Sequence, residues 1–263
     1  MAQSNNIFGL EGSIGNVTFR KDGIVTAKIP GFTADQINNV PSLIRIKENN
    51  REFGGASKIA TKLRHALSFN YPAMDRFSSG RLNKHFLQIL PTDNTNPKGK
   101  RSYLLTENPN PLINFQFFES NPVDANLPSH HSIETNPDRT TATLNLPPFH
   151  PKKECNAPKG ATHMTIGIAI VALSNYEYNP ETNGYHPINP LSNGIYAHTQ
   201  TPYLEITSKT TPHQIIQATF PSDTVLTPND SLIITLDIKF HQQINNEYYF
   251  FKQGQGMKIA AIA

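Results

Sequence analysis

The chain has 263 residues, enough for one large domain or for a small unit beside a β domain of ordinary size. Its 37% hydrophobic and 16% charged residues support a buried core, and a net charge of only +3 speaks against a disordered polyelectrolyte. A single cysteine, Cys155, excludes an intrachain disulfide framework.

The opening stretch MAQSNNIFGLEGSIGN has neither a basic n-region nor an apolar h-region, so no signal peptide is expected. The longest apolar run, 166–173, is far short of a membrane span. Cytoplasmic synthesis is the default expectation, with later incorporation into a particle left open. The small net charge hides a split. Between Arg45 and Arg101 twelve Lys and Arg stand against four acids, so the remainder of the chain carries an acidic excess. Such asymmetry can hold parts of one chain together, join copies of it, or attract nucleic acid.

In chain order, residues 8–29 read as a hairpin. Ile14, Val17 and Phe19 form a first strand and Lys21-Asp22-Gly23 a turn. Ile24, Val25, Ala27 and Ile29 form the second strand, before Pro30-Gly31 stops it. A lone hairpin is marginal in water and has to lie on something. A long helix starts near Pro41-Ser42 and continues to about Ser68, with Leu43, Ile46, Phe53, Ile59, Ala60, Leu63 and Leu67 on one stripe. Gly54-Gly55 within it marks a break or a close contact. Tyr71-Pro72 forces a turn. A second helix follows with Met74, Phe77, Leu82, Phe86 and Ile89 inward, ending at Pro91.

Beyond a polar connection at 91–111, strands are expected at 112–118, 140–146, 163–174, 203–208, 214–220, 231–241, 247–252 and 257–262. The stretches 119–139 and 147–160 read as loop. Leu232, Ile234, Leu236, Ile238 and Phe240 alternate with polar neighbours, as in a half-buried antiparallel strand. The expected fold is α+β. An N-terminal β-hairpin and two-helix unit (1–100) accompanies a C-terminal antiparallel β-sandwich, jelly-roll or Ig-like (101–263).

Catalytic patterns are sparse. His130, His131, His150, Cys155, His163 and His186 cluster in sequence, but none shows close metal-ligand spacing, so no metal or cofactor is expected. No G-x-S-x-G is present, the carboxylates are scattered, and Cys155 reads as an inert loop thiol despite basic neighbours. The expectation is that the chain is not an enzyme. The basic helices carry more information. Lys58, Lys62 and His65 are spaced for one helical face, with Arg64 beside them, and Arg76, Arg81 and Lys84 add a second cluster. This is the footprint of a nucleic-acid surface, or of a face docked on acidic protein.

Gly12, Gly15 and Val17, followed by the hairpin and by Arg51-Glu52-Phe53 in a basic helix, loosely resemble the start of a family of uncharacterised Bacteroidota proteins. These begin with G-x-x-G-x-V, a strand, an Arg-rich helix and then a β domain. The resemblance covers about the first quarter of the chain and implies no site residues. The functional expectation is a non-enzymatic structural subunit of a protein particle or filament, such as a phage-like one. It would self-associate with copies of itself, or with other assembly subunits, through the hairpin and basic helices. The alternative is a nucleic-acid-binding protein using the face that carries Lys58, Lys62 and Arg64.

Overall fold

A computed structural model describes residues 3–6, 9–20, 24–27, 31–128, 130–251 and 253–263. The chain divides into two compact units, Met1–Lys47 and Glu48–Ala263.

The first unit is an antiparallel meander of β1 (Gln3–Asn6), β2 (Gly9–Ile14), β3 (Val17–Phe19) and β4 (Val25–Ala27). The expected hairpin is present as β3–β4, in register from Val17↔Ala27 to Phe19↔Val25. Its Lys21-Asp22-Gly23 turn and Ile29-Pro30 lie outside the described residues. Ile14 does not share a strand with Val17 and Phe19, contrary to expectation. The chain reverses at Gly15-Asn16, so that Ile14 pairs with Val17. Gly15 sits at φ +56, which a residue without Cβ adopts freely and which two-residue hairpin turns require. Helix α1 (Ala34–Asn39) then begins with a capping box. The Thr33 hydroxyl accepts from Gln36 N–H, and the Gln36 side chain accepts from Thr33 N–H.

Helix α2 (Ile44–Ala66) follows a 3-10 turn at Pro41–Leu43 and runs unbroken through Gly54-Gly55. A 3-10 segment, Ser68–Ala73, contains Pro72 and leads to α3 (Ser78–Leu87). The β elements are β5 (Ser132–Thr135), β6 (Thr141–Leu146), β7 (His163–Ser174), β8 (Tyr176–Asn179), β9 (Gly184–Pro187) and β10 (Tyr196–Gln200). They continue with β11 (Leu204–Glu205), β12 (Gln214–Thr219), β13 (Asp230–Ile244), β14 (Glu247–Phe250) and β15 (Gly256–Ile262), and a one-turn helix α4 (Pro151–Glu154) precedes β7.

Two sheets form the sandwich. The larger is centred on β7 paired with β13 over twelve residue pairs, with β10 and β11 on the outer side of β7 and β15 and β14 on that of β13. The smaller is β12-β6-β5. Ile166, Ile168, Ile170 of β7 and Leu232, Ile234, Leu236, Ile238 of β13 pack with Ala142, Leu144, Leu146 and Ile216 of the smaller sheet. The opposite face of β7 and β13, with Ala169, Val171, Leu173 and Ile233, is covered by Ala56, Ile59, Ala60 and Leu63 of α2 and by Leu82 and Phe86 of α3. Covering both faces explains why the segment 163–174 is almost continuously apolar and buried. The α+β class and the sandwich are as expected from the sequence.

Several details differ. Because α2 and α3 share a core with the larger sheet, the boundary lies between Lys47 and Glu48, not near residue 100. Phe53 and Phe77, read as inward, are exposed, because the core-facing stripe of α2 passes through Gly55, Ala56 and Ile59 and Phe77 precedes α3. Residues 114–117 bond to β15 without forming a strand. The strand expected at 203–208 shrinks to the two residues of β11. Strands β5, β8, β9 and β10 and helix α4 fall where no element was expected. The polar neighbours on β13 are buried as well, Thr235 and Asp237 among them, so this strand is not half-exposed.

Candidate interaction surfaces

Register sorts the side chains of the N-terminal sheet. Ile14, Val17 and Ala27 stand in one cross-strand row and Phe19 and Val25 in the next, so all five occupy one face. Ser13, Thr18 and Thr26 occupy the other, where Ser13 Oγ and Thr18 Oγ1 share a hydrogen bond of 2.9 Å. Among the described side chains one face of the sheet is therefore apolar and the other polar, with Glu11 on the side of Ser13. Yet none of the described side chains of residues 11–47 is buried, and Ile14 and Val25 keep 57% and 58% of their surface exposed. A sheet of this kind normally buries its apolar face under a second layer.

The expected basic surface is only partly assembled. Lys58, Lys62 and His65 of α2 come together in a cleft of about 330 Å³ whose other walls are Thr61, Tyr176, Pro187, Pro190 and Asn193. Lys58 Nζ donates to the Tyr185 carbonyl at 2.7 Å. The Lys62 stem lies against Gly194, where a Cβ would collide with Lys62 Cε. Arg64, next along the helix, does not line this cleft. It is half-buried, and its Nε has no acceptor.

The second cluster is not a cluster of free charges. Arg81 is held by Asp75 through two hydrogen bonds, of 3.0 and 2.9 Å, and donates to the Gln116 carbonyl. Burial would raise the Asp75 carboxyl, but these bonds outweigh it and hold the group below its usual range. Arg76 lies over the Phe77 ring at 4.4 Å, and Lys84 is exposed on α3. The seven residues thus divide into one three-residue cleft, one neutralised arginine and three separate positions.

Other charges serve the fold. Glu52, buried in α2, accepts from Arg101 Nε and Nη2 and from Gly99 N–H, each at 2.8 Å. Asp230 accepts from Thr227, Asn189 and Ser192 and so fixes the 189–192 loop. Asp93 accepts from the backbone of Thr95, Asn96 and Ser102. These are satisfied, buried groups of the kind that stabilise loops.

Among the described residues no three His, Cys, Asp or Glu side chains converge on a common point. The mid-chain histidines have separate local partners: His131 the Pro128 carbonyl, His163 the Thr162 hydroxyl and His186 the Thr182 hydroxyl. Cys155 is buried, and burial followed by the nearby Glu154 charge pushes its thiol up to about 12. Asp237 is the most unusual carboxylate. It lies 3.4 Å from His198 Nε2 and 3.3 Å from Lys239 Nζ on the sheet face near Phe69, without a hydrogen bond to either oxygen.

The far wall of the cleft was out of reach of sequence spacing. Tyr176, Pro187 and Asn193 of the cleft lie more than a hundred residues beyond α2. The apolar face at Ile14, Val17, Phe19, Val25 and Ala27 did carry a signal, an alternation continuing across two turns. No family model, curated protein or solved structure matches this chain. No described helix is long and apolar enough to cross a membrane.

Proposed function

We propose that this chain is a non-enzymatic structural subunit of a particle or filament, associating with further copies through its N-terminal sheet. The observation that carries this reading is the apolar face formed by Ile14, Val17, Phe19, Val25 and Ala27, none of which is buried. The occupant is a second copy of the same face. Its described side chains bear no charge for an ionic partner to meet, and two like apolar sheets pack face to face as an isologous contact. A buried side chain of Val or Ile size contributes on the order of 1.5–3 kcal/mol, so a paired face of this size is a sufficient driving force. Exposed basic groups outside the α2 cleft, such as Lys84 of α3, supply a second contact to the acidic remainder of a neighbouring copy.

The nucleic-acid reading is less well supported, because Arg81 is neutralised by Asp75 and Arg76 and Lys84 stand apart from the α2 cleft. Removing residues 1–31 tests the preferred reading. A folded chain that no longer associates is the expected result. Unchanged association after the removal contradicts it.

A further inference from the structure

The cleft on α2 has a use independent of self-association. Four observations bear on it. It is lined by two lysines and a histidine at positions 58, 62 and 65, one helical face, and no carboxylate lines it. Among the described residues neither Lys58 nor Lys62 lies within ion-pair distance of an acid, whereas Arg81 and Arg101 of the same unit do. Both stems are positioned before any ligand arrives: Lys58 by its bond to the Tyr185 carbonyl, and Lys62 by the groove left at Gly194, whose φ of +88 also favours glycine. Finally, the buried Tyr176 at the cleft wall accepts a hydrogen bond from Asn193 Nδ2 at 2.7 Å, and Asn193 is itself fixed by the Ser174 N–H donating to its Oδ1. With its oxygen already accepting, the Tyr176 hydroxyl retains its own proton to donate.

We propose that this cleft is a binding site for a compact oxyanion of the phosphate class. Two ammonium groups, an imidazole and a neutral phenol offer donors and no competing acceptor charge, which is the chemistry a phosphate group needs. At about 330 Å³ the cleft stands at the small end of the ~300–1,000 Å³ range of small-molecule sites, so it suits one phosphate group with a small attached moiety. A nucleic-acid backbone is a poorer occupant. The other basic candidates, Arg64, Arg76, Arg81 and Lys84, do not line the cleft, so it offers no continuous track for a polymer backbone.

Equilibrium dialysis of the full chain against radiolabelled inorganic phosphate, with chloride holding ionic strength constant, tests this. Saturable binding of one phosphate per chain is expected. Lys62→Met keeps the stem over Gly194 and removes the charge, and should weaken binding by about tenfold or more, as loss of one charge-assisted bond implies. Thr61→Glu places a carboxylate in the exposed cleft wall without touching the core, and should abolish binding. Arg76→Gln, outside the cleft, should leave it unchanged. Absence of saturable binding, or equal binding by Thr61→Glu and the unaltered chain, would overturn the proposal. An equal loss on Arg76→Gln would do so too, because it would mean diffuse charge rather than a site.

Discussion

Adjacent glycines in one helix should respond to the same substitution with opposite sign. Gly54 and Gly55 both lie inside α2, where glycine is less favourable than alanine by about 1 kcal/mol. At Gly54 an added Cβ meets nothing within 4 Å, so Gly54→Ala should stabilise the fold by about that amount. At Gly55 the Cβ would come within 2.7 Å of Tyr103 Cε2 and Tyr185 Cδ2. Neither ring can yield cheaply. They are buried edge to face with centroids 5.3 Å apart, and the Tyr103 hydroxyl donates to the Glu52 carbonyl one turn earlier. Overpacking of this kind costs about 1–3 kcal/mol, and displacing the tyrosine adds about 1 kcal/mol for its hydrogen bond. After the helix gain is set against these costs, Gly55→Ala should destabilise by about 1–3 kcal/mol. Urea unfolding followed by circular dichroism measures both variants, with the slope expected to stay constant so that the midpoint reports stability. A Gly55→Ala midpoint equal to or above that of the unaltered chain would refute the packing described for α2.

Three further outcomes are expected. His241 is drawn down to about 4, first by burial and then by the Lys239 and His163 charges, so it is neutral in the fold and protonated in the unfolded chain between about pH 4 and 6.5. Stability should therefore fall as pH drops through that window, by up to about 3 kcal/mol, and His241→Phe should flatten the slope in pH-dependent unfolding. Glu52 is pushed up by burial but held below its usual range by Arg101 and Gly99, so its contribution is present above about pH 4.5 and fades as pH falls through its lowered value. Glu52→Gln strands Arg101 and should cost about 3–5 kcal/mol at neutral pH, read by thermal unfolding; an unaltered midpoint would contradict the pairing. Cys155 should resist iodoacetamide in the native chain and react once unfolded, as mass spectrometry would record, and fast native labelling would contradict its burial.

The two central strands of the fold were legible in the sequence, but not that both their faces are covered. The strand expected at 163–174 and the one expected at 231–241 are the two that carry the larger sheet, because burial on one or both faces leaves a periodic or continuous apolar run. Alternation on β13 could not reveal that Thr235 and Asp237 are buried too, since covering by α2 and α3 depends on packing between distant segments. Strands β8 and β9 were missed because YEYN, although it alternates aromatic and polar residues, is only four residues long and GYHP ends in proline; they pair across a short turn with Asn183 at φ +49. The basic candidates illustrate the same limit. Lys58, Lys62 and His65 follow from helical spacing alone. That Arg81 is neutralised depends on the turn before α3 bringing Asp75 to it and on carbonyls near residue 116. The reversal at Gly15-Asn16 was masked by β-formers on both sides of the turn, although the glycine itself was visible.

The central claim is that the apolar face of the N-terminal sheet is covered by another copy, and its most direct test is the mass in solution. Light scattering on the full chain, beside a variant carrying Ile14→Asp and Val25→Asp, separates the outcomes. Both positions are exposed and lie on the apolar face, so the substitutions should leave the second unit folded. An oligomer or polymer for the unaltered chain and a folded monomer for the variant is the predicted result. A monomer in both, or the same oligomer in both, would contradict the account.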